Sequence, residues 1–386
     1  MTYQVMYNQN DQMVTFTGCM RPQTQEELLE VNKTLAMAAE KAMGMLYLNF
    51  NRLEFINNMA FHEVMKHIGL IIDAKPKLTI KIIISSVIPW SEKKMTWIKQ
   101  FYDRISIEQY DNNFYPGQEV IENDHFIPVL RTQTKIIWAQ EKKLLAEHGL
   151  KKGMSVADIC CGVGDFISLV YQDFNPSQII GVDHSKPNLN YARRIAEDNG
   201  LSDKLKYHYG DAGNLFFIRD NEFDFVTCRL SLQIFDKPEL ILKELHRICK
   251  PGGKIYLTNE TYSKTLGYPQ SEIISRTYEE ASKMFKFLGM DLEFGPKMNS
   301  YLQDAHLKNI RIDPMMITTD STSREDFKVV VESWRDYICN DLAIANKKDE
   351  TYRKELTQGF NSHIRAIESK RGFASWPIWV ASGTKS

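Results

Sequence analysis

The stretch that most constrains this chain is Val156-Ala157-Asp158-Ile159-Cys160-Cys161-Gly162-Val163-Gly164-Asp165-Phe166. It begins as a buried strand, breaks into a tight turn of small residues and enters a helix near Asp165. A strand, a glycine turn and a helix N-terminus together cradle part of a nucleotide-like ligand. Such a cradle needs an α/β sheet around it, and the residues downstream supply one.

Gln178-Ile179-Ile180-Gly181-Val182 reads as a second strand ending in Asp183. Ser185 can cap the next helix, Pro187 suits its first turn, and Leu189, Ala192 and Ile195 form its apolar stripe. A third strand, Leu205 to Tyr209, leads into Gly210-Asp211-Ala212, and a fourth, Phe223 to Thr227, into Cys228-Arg229-Leu230. Asp236 and Glu239 have capping-box spacing, Pro251-Gly252-Gly253 reads as a turn, and Lys254 to Thr258 as a fifth strand. Strand–helix units in this order predict an open parallel sheet, with ligands outside the carboxyl ends of its strands. Asp158, Asp183 and Asp211 stand at or near those ends.

The turn lacks the dinucleotide pattern G-x-G-x-x-G, because Gly162-Val163-Gly164 is followed by Asp165 and Phe166. Asp158 and Asp165 also put negative charge where a pyrophosphate would sit, which disfavours a nicotinamide dinucleotide. An acid at Asp183 can accept from both hydroxyls of a ribose. A ligand with a ribose, an adenine and a cationic or zwitterionic tail fits, and S-adenosylmethionine is such a ligand.

Four segments in order carry a resemblance: Asp158 to Gly164, Gly181-Val182-Asp183-His184-Ser185, Gly210-Asp211-Ala212, and Leu245-His246-Arg247-Ile248-Cys249-Lys250-Pro251-Gly252-Gly253. Through them the span from about 120 to 260 resembles the Rossmann-type (class I) S-adenosylmethionine-dependent methyltransferases. The resemblance implies an α/β fold with a seven-stranded Rossmann-like sheet, and S-adenosylhomocysteine as product. It implies that the turn Asp158, Cys160, Gly162 and Gly164 holds the methionine part. Asp183, with His184 beside it, would take the ribose, and Asp211 and the Ala212 amide the adenine. Arg229 and Leu230 would face the methionine carboxylate or the substrate. The family usually has glycine where Cys160 stands.

The chain has 386 residues, more than one ordinary domain, so two are expected. In residues 1–115 short strands (Val14 to Gly18, Met45 to Phe50, Leu78 to Ile84) alternate with helical stripes. One helix is opened by a Thr24/Glu27 capping box, a second by Asn57 or Asn58, and a third, with Trp97, Ile98 and Phe101, by Ser91. Leu46-Tyr47-Leu48-Asn49-Phe50, then Leu53 to Ala60, resembles a STAS-type domain. In its signalling members a serine at the start of the second helix is phosphorylated. Asn57 and Asn58 occupy that place, so a structural or dimerising role is expected, with a homodimer or a protein partner formed through this domain. Tyr115-Pro116-Gly117 and Pro128 break the pattern, and residues 116–150 read as a linker with a lid or capping helix from about Thr132 to His148. The remainder, 151–386, completes the methyltransferase-like domain. A helix from Ser271 or Glu272 to Phe287, strands at Asn309 to Ile312 and Pro377 to Ala381, and a polar helical insertion over about 323–371 follow.

A net charge of −1 announces no nucleic-acid partner, and no [DNS]-P-P-[YFW] sequence follows the fourth strand, where Cys228-Arg229-Leu230-Ser231 stands. No apolar run would span a bilayer and no leader sequence is evident, so a cytoplasmic location with no membrane partner is expected. None of the six cysteines falls in a CxxC pair or a zinc spacing, so reduced thiols and no metal are expected. The leading reading is methyl transfer to a small molecule such as an amine, an amino acid or a secondary metabolite. A carrier-tethered acceptor, or a binding module that senses S-adenosylmethionine without turnover, are the alternatives. Glu260, His125 and Asp124 are candidate general bases, and Tyr262 and Trp334 candidate acceptor-lining residues.

Overall fold

Parallel strands are covered on both faces and therefore read as near-continuous apolar runs. The segment Ser155–Ile159 is of this kind, with every residue buried. The computed structural model describes residues 3–9, 12–85, 95, 102–110 and 127–386. The chain divides into two compact units, Met1–Asn112 and Asn113–Ser386.

In the first unit β1 (Tyr3–Asn8), β2 (Met13–Met20), β3 (Met45–Ile56), β4 (Thr79–Ser85) and β5 (Ile105–Tyr110) lie side by side in sequence order. Only β1 and β2 are antiparallel; the rest are parallel neighbours. Helices Leu29–Lys41 and Asn58–Ala74 make the crossovers from β2 to β3 and from β3 to β4. Asn57 caps the second by accepting from the Ala60 amide at 2.9 Å. The Thr24/Glu27 box forms only in part. Glu27 accepts from the Thr24 amide at 3.2 Å, but the first turn, Glu26–Leu28, is a 3-10 turn with no side-chain cap. β2 and β3 run past the expected ends, through register shifts at Thr15/Thr17 and Gly18/Cys19. The expected third helix, with Ser91, Trp97, Ile98 and Phe101, lies outside the described residues.

The second unit holds β6 (Ser155–Ile159), β7 (Gln178–Asp183), β8 (Leu205–Tyr209), β9 (Phe223–Arg229), β10 (Cys249–Glu260), β11 (Leu266–Tyr268), β12 (Lys308–Thr318) and β13 (Phe373–Thr384) in one sheet. The order is β11-β13-β10-β9-β6-β7-β8, with β12 also on β13. Among the described residues the sheet thus has eight strands rather than the expected seven. Ser375 pairs with Leu266 on one edge of β13 and with Thr318 on the other, so β11 continues the edge occupied by β10. A twelve-residue β13 is long enough to seat both. The chain leaves β6 toward β7 and β8 and returns on the other side as β9 and β10. That reversal places the carboxyl ends of β6, β7 and β9 at a topological switch point.

Four local expectations are corrected. Pro128 does not break a helix; it occupies the first turn of helix Ile127–Glu147, where its missing amide costs nothing. Pro251-Gly252-Gly253 is not a free turn but an irregularity inside β10, which pairs with β9 through Cys249 and again from Lys254. Asp236 and Glu239 form no box, since helix Pro238–Ile248 starts on its own proline without a side-chain cap. β12 extends well past Ile312. Pro314 lies in its interior, a residue that a strand tolerates at a sheet edge.

One sheet face is covered by helices Ile127–Glu147, Asp165–Phe174, Ser271–Phe287, Arg324–Asp336 and Glu350–Glu368, and the other by Pro238–Ile248 and Met298–Asp304. A π-helical segment, Tyr337–Leu342, follows Arg324–Asp336 between β12 and β13.

Candidate functional site

The turn after β6 is built from left-handed residues. Cys160 has φ 65°, Gly162 φ 53° and Gly164 φ 77°. Alternation of this kind turns amides inward. The Gly162 amide donates to Asp183 Oδ2 at 2.7 Å, and the Cys161 amide to the Val182 carbonyl at 3.0 Å. Gly164 is required for space as well as conformation, because a Cβ there would lie 2.5 Å from the Tyr207 hydroxyl. Cys160 takes the same left-handed conformation with a side chain. A hydrogen bond with the Cys228 thiol, and then burial, push the Cys160 thiol well above its usual range. Cys160→Gly should therefore raise the unfolding free energy by about 0.5–1 kcal/mol through relief of the Cβ clash. Chemical denaturation checks this, and a loss of stability instead would show that the Cys228 contact outweighs the strain.

Asp183 ends β7 with both oxygens engaged: Oδ2 by Gly162, and Oδ1 by the Ser185 amide at 2.8 Å. His184 stacks on Tyr209 with ring centroids 5.7 Å apart. Asp211 accepts from the Gly213 amide at 2.8 Å, which folds a tight loop that buries Ala212 beside it. Asp158, Asp183 and Asp211 thus lie at or just past the same ends of β6, β7 and β8.

Asp158 itself is buried and accepts from the Thr227 hydroxyl at 2.5 Å. Burial pushes its carboxyl up to about 7, against the pull of Arg229 and Thr227. Arg229 does not present an open fork to a ligand carboxylate. Its Nε and Nη2 donate to Glu141 at 2.7 and 2.5 Å, and the guanidinium lies 4.0 Å over the Phe166 ring. Burial opposes its charge, but Glu141 more than offsets this and holds the guanidinium above its usual range. Phe166 closes the organising stretch, so this stack ties helix Ile127–Glu147, β9 and the helix after the turn together. Leu230 follows in a left-handed conformation, φ 49°, with its amide on the Thr258 carbonyl at 2.7 Å.

Glu260 ends β10, buried, with Oε1 accepting from Gln233 at 2.6 Å and Oε2 from the Trp376 indole at 2.5 Å. Burial raises its carboxyl to about 7 while these two donors pull it down. Tyr262 and Trp334 meet edge to face at 5.3 Å, and Tyr262 also meets Tyr278 at 4.8 Å. The Tyr262 hydroxyl is buried with no hydrogen-bond partner among the described residues. His125 and Asp124 lie outside the described residues.

Glu141, Gln233, Trp376 and Tyr278 escaped the sequence reading. Glu141 carried a signal, since it falls four residues from both Ile137 and Leu145, on the apolar face of its helix. Among the described residues no group of three His, Cys, Asp or Glu side chains could hold a metal ion, and no helix is long and apolar enough to cross a membrane.

Residues 157–257 match the protein family described as "Methyltransferase domain". Demethylmenaquinone methyltransferase of Anoxybacillus flavithermus is 25% identical over 209 residues, which cover 50% of this chain and 84% of that protein. The enzyme of the same name from Staphylococcus saprophyticus is 38% identical over 115 residues, 30% of this chain and 48% of that protein. The chain thus spans about half the length of the second relative. Among solved structures, a phospholethanolamine N-methyltransferase of Haemonchus contortus, in complex with S-adenosylhomocysteine, is 17% identical over 89% of this chain and 85% of its own, with a TM-score of 0.44. That match and those relatives support a methyltransferase domain over residues 157–257.

Proposed function

We propose that the second unit moves the methyl group of S-adenosylmethionine to a small-molecule acceptor that bears a ring, by direct SN2 transfer. The acceptor's lone pair attacks the methyl carbon, the C–S bond breaks, S-adenosylhomocysteine leaves, and the acceptor's proton passes to a base. The sulfonium is already activated, so holding the nucleophile in line with the S–CH3 bond contributes most, roughly 7–11 kcal/mol. In this reading Asp183 takes the ribose hydroxyls, Asp211 and the Ala212 amide the adenine, and the Gly162–Gly164 turn the methionine part. The observation that carries the acceptor class is the aromatic cluster beyond β10. A buried hydroxyl without a partner among the described residues is costly, and the Tyr262 ring that carries it packs edge to face on Tyr278 and Trp334. It would take a polar atom of a ring stacked there. The relatives that act on demethylmenaquinone support a ring-bearing acceptor.

Glu260 is the base in this proposal. A carboxyl held at about 7 is poised to accept a proton near neutral pH. The wild-type kcat/KM should rise through pH about 7, and Glu260→Gln should lower it by roughly 100-fold or more and flatten the profile. If Glu260→Gln keeps the wild-type profile, Glu260 is not the base. Folding responds with the opposite slope. Between the ordinary 4.5 and about 7 the folded protein holds a proton at Glu260 that the unfolded chain has released, so stability falls as pH rises through that window. Asp158, also raised to about 7, acts in the same direction.

Incubation of a metabolite extract with labelled S-adenosylmethionine, followed by mass spectrometry, tests the function. A labelled small molecule is expected. Donor binding without any labelled product would favour a sensor, and label on a carrier protein a tethered acceptor. The STAS-type resemblance of the N-terminal unit supports an interaction role. Light scattering on the full chain should report a dimer or a captured protein partner, and a monomer that captures none would remove that role.

A further inference from the structure

Helices Ser271–Phe287 and Glu350–Glu368 touch where Gly359 meets Thr277; a Cβ on Gly359 would lie 1.7 Å from the Thr277 hydroxyl. Beside that contact they leave a groove of about 630 Å³, a volume in the range of small-ligand sites. Its apolar lining includes Ile273 and Leu356, and Tyr352 adds an aromatic face. The charges on the wall differ in how far they are already engaged. Arg276 has no ion pair or hydrogen bond among the described residues, and Arg365 donates only to the Ser362 hydroxyl, at 2.9 Å. Two glutamates, Glu280 and Glu355, also line the groove. Glu280 is already held by Lys283 at 2.7 Å and by the Tyr352 hydroxyl at 2.7 Å, and Lys348 sits 4.6 Å over the Tyr352 ring. Glu280 is therefore already engaged, which leaves Glu355 as the other carboxylate on a wall that carries two guanidiniums.

We propose that this groove is a second ligand site, distinct from the methyl-donor turn, for an organic anion with an apolar body: a carboxylate, sulfonate or phosphate ester whose head lies between Arg276 and Arg365 and whose body lies on Ile273, Leu356 and Tyr352. Guanidiniums grip such heads in a planar, bidentate way. The inner wall belongs to Thr277 and Ser362, whose chain neighbours Tyr278 and His363 are hydrogen-bonded at 2.6 Å. Tyr278 in turn abuts Tyr262 and Trp334, so an occupant would press on the rear of the aromatic cluster that follows β10.

The test titrates the full chain with anilinonaphthalene sulfonate, an anionic dye with an apolar body, and reads its fluorescence. Wild type should bind the dye, more weakly as salt rises. The double variant Arg276→Glu/Arg365→Glu should weaken binding by at least about tenfold, while Arg276→Lys/Arg365→Lys keeps most of it. Both arginines are exposed, and unchanged circular dichroism verifies the fold. Unaltered dye binding in the double glutamate variant would overturn the proposal. So would equally tight binding of the cationic dye thioflavin T, which would assign the groove to Glu280 and Glu355 instead.

Discussion

Glu141→Leu is expected to lower the unfolding free energy by about 3–5 kcal/mol, the largest single loss anticipated in this protein. The side chains of Glu141 and Arg229 are 0% and 10% exposed, and the pair is bidentate. Removing the carboxylate leaves a buried guanidinium with its charge uncompensated, and that uncompensated charge, rather than the lost attraction, dominates the cost. The Tyr256 hydroxyl, which donates to Glu141 at 3.4 Å, loses its acceptor too. Replacing both partners together, as Glu141→Leu/Arg229→Met, should recover most of the loss, because two apolar side chains need no charge partner. Chemical denaturation of the two variants decides it. If the single variant costs under about 1 kcal/mol, or the double variant is no better, the pair does not anchor helix Ile127–Glu147 to β9. Arg229 also lies on Phe166, so the single variant should loosen the helix after the turn and weaken donor binding along with stability.

Asp183→Ala should abolish most donor affinity, by roughly 100-fold or more. Two hydrogen bonds from ribose hydroxyls to a charged acceptor are worth about 1.5–3 kcal/mol each, and each 1.4 kcal/mol is about tenfold. The loss has a second source within the protein. The carboxylate is what holds the Gly162 amide and the Ser185 amide, so alanine frees the turn that forms the other wall of the cradle. Asp183→Asn separates the two contributions. It keeps the size of the side chain and one carbonyl acceptor, and should bind the donor more tightly than the alanine variant but less tightly than wild type. Isothermal titration with S-adenosylmethionine measures all three. Wild-type affinity in a folded Asp183→Ala protein would remove Asp183 from the donor site.

Much of the second unit was legible because its cues are local. A strand that is buried throughout, a turn with glycines at left-handed positions and an acid at the strand end are each written within a dozen residues. β8 at Leu205–Tyr209 and the helix Ser271–Phe287 lie where the sequence put them. Ser185 and Asn57 cap their helices as read. The missed features depend on partners far along the chain. β11 has three residues and exists because β13 outruns β10. β1 and β5 are short strands at the edges of their sheet. Arg229 looked like a ligand-facing cation, and only its neighbour 88 positions earlier in the chain shows where its fork goes.

The sequence alone determined the cradle: a strand, a left-handed turn and a helix start, with acids at three successive strand ends, set by steric rules and hydrogen-bond needs that act over a few residues. The tertiary structure decided what each charge is for. Asp158 and Asp183 look equivalent in sequence, yet one is buried against Thr227 while the other clamps the turn. Glu260 is raised to about 7 only because folding buries it with Gln233 and Trp376. Desolvation and partner geometry are properties of the packed chain, and no local pattern of residues encodes them.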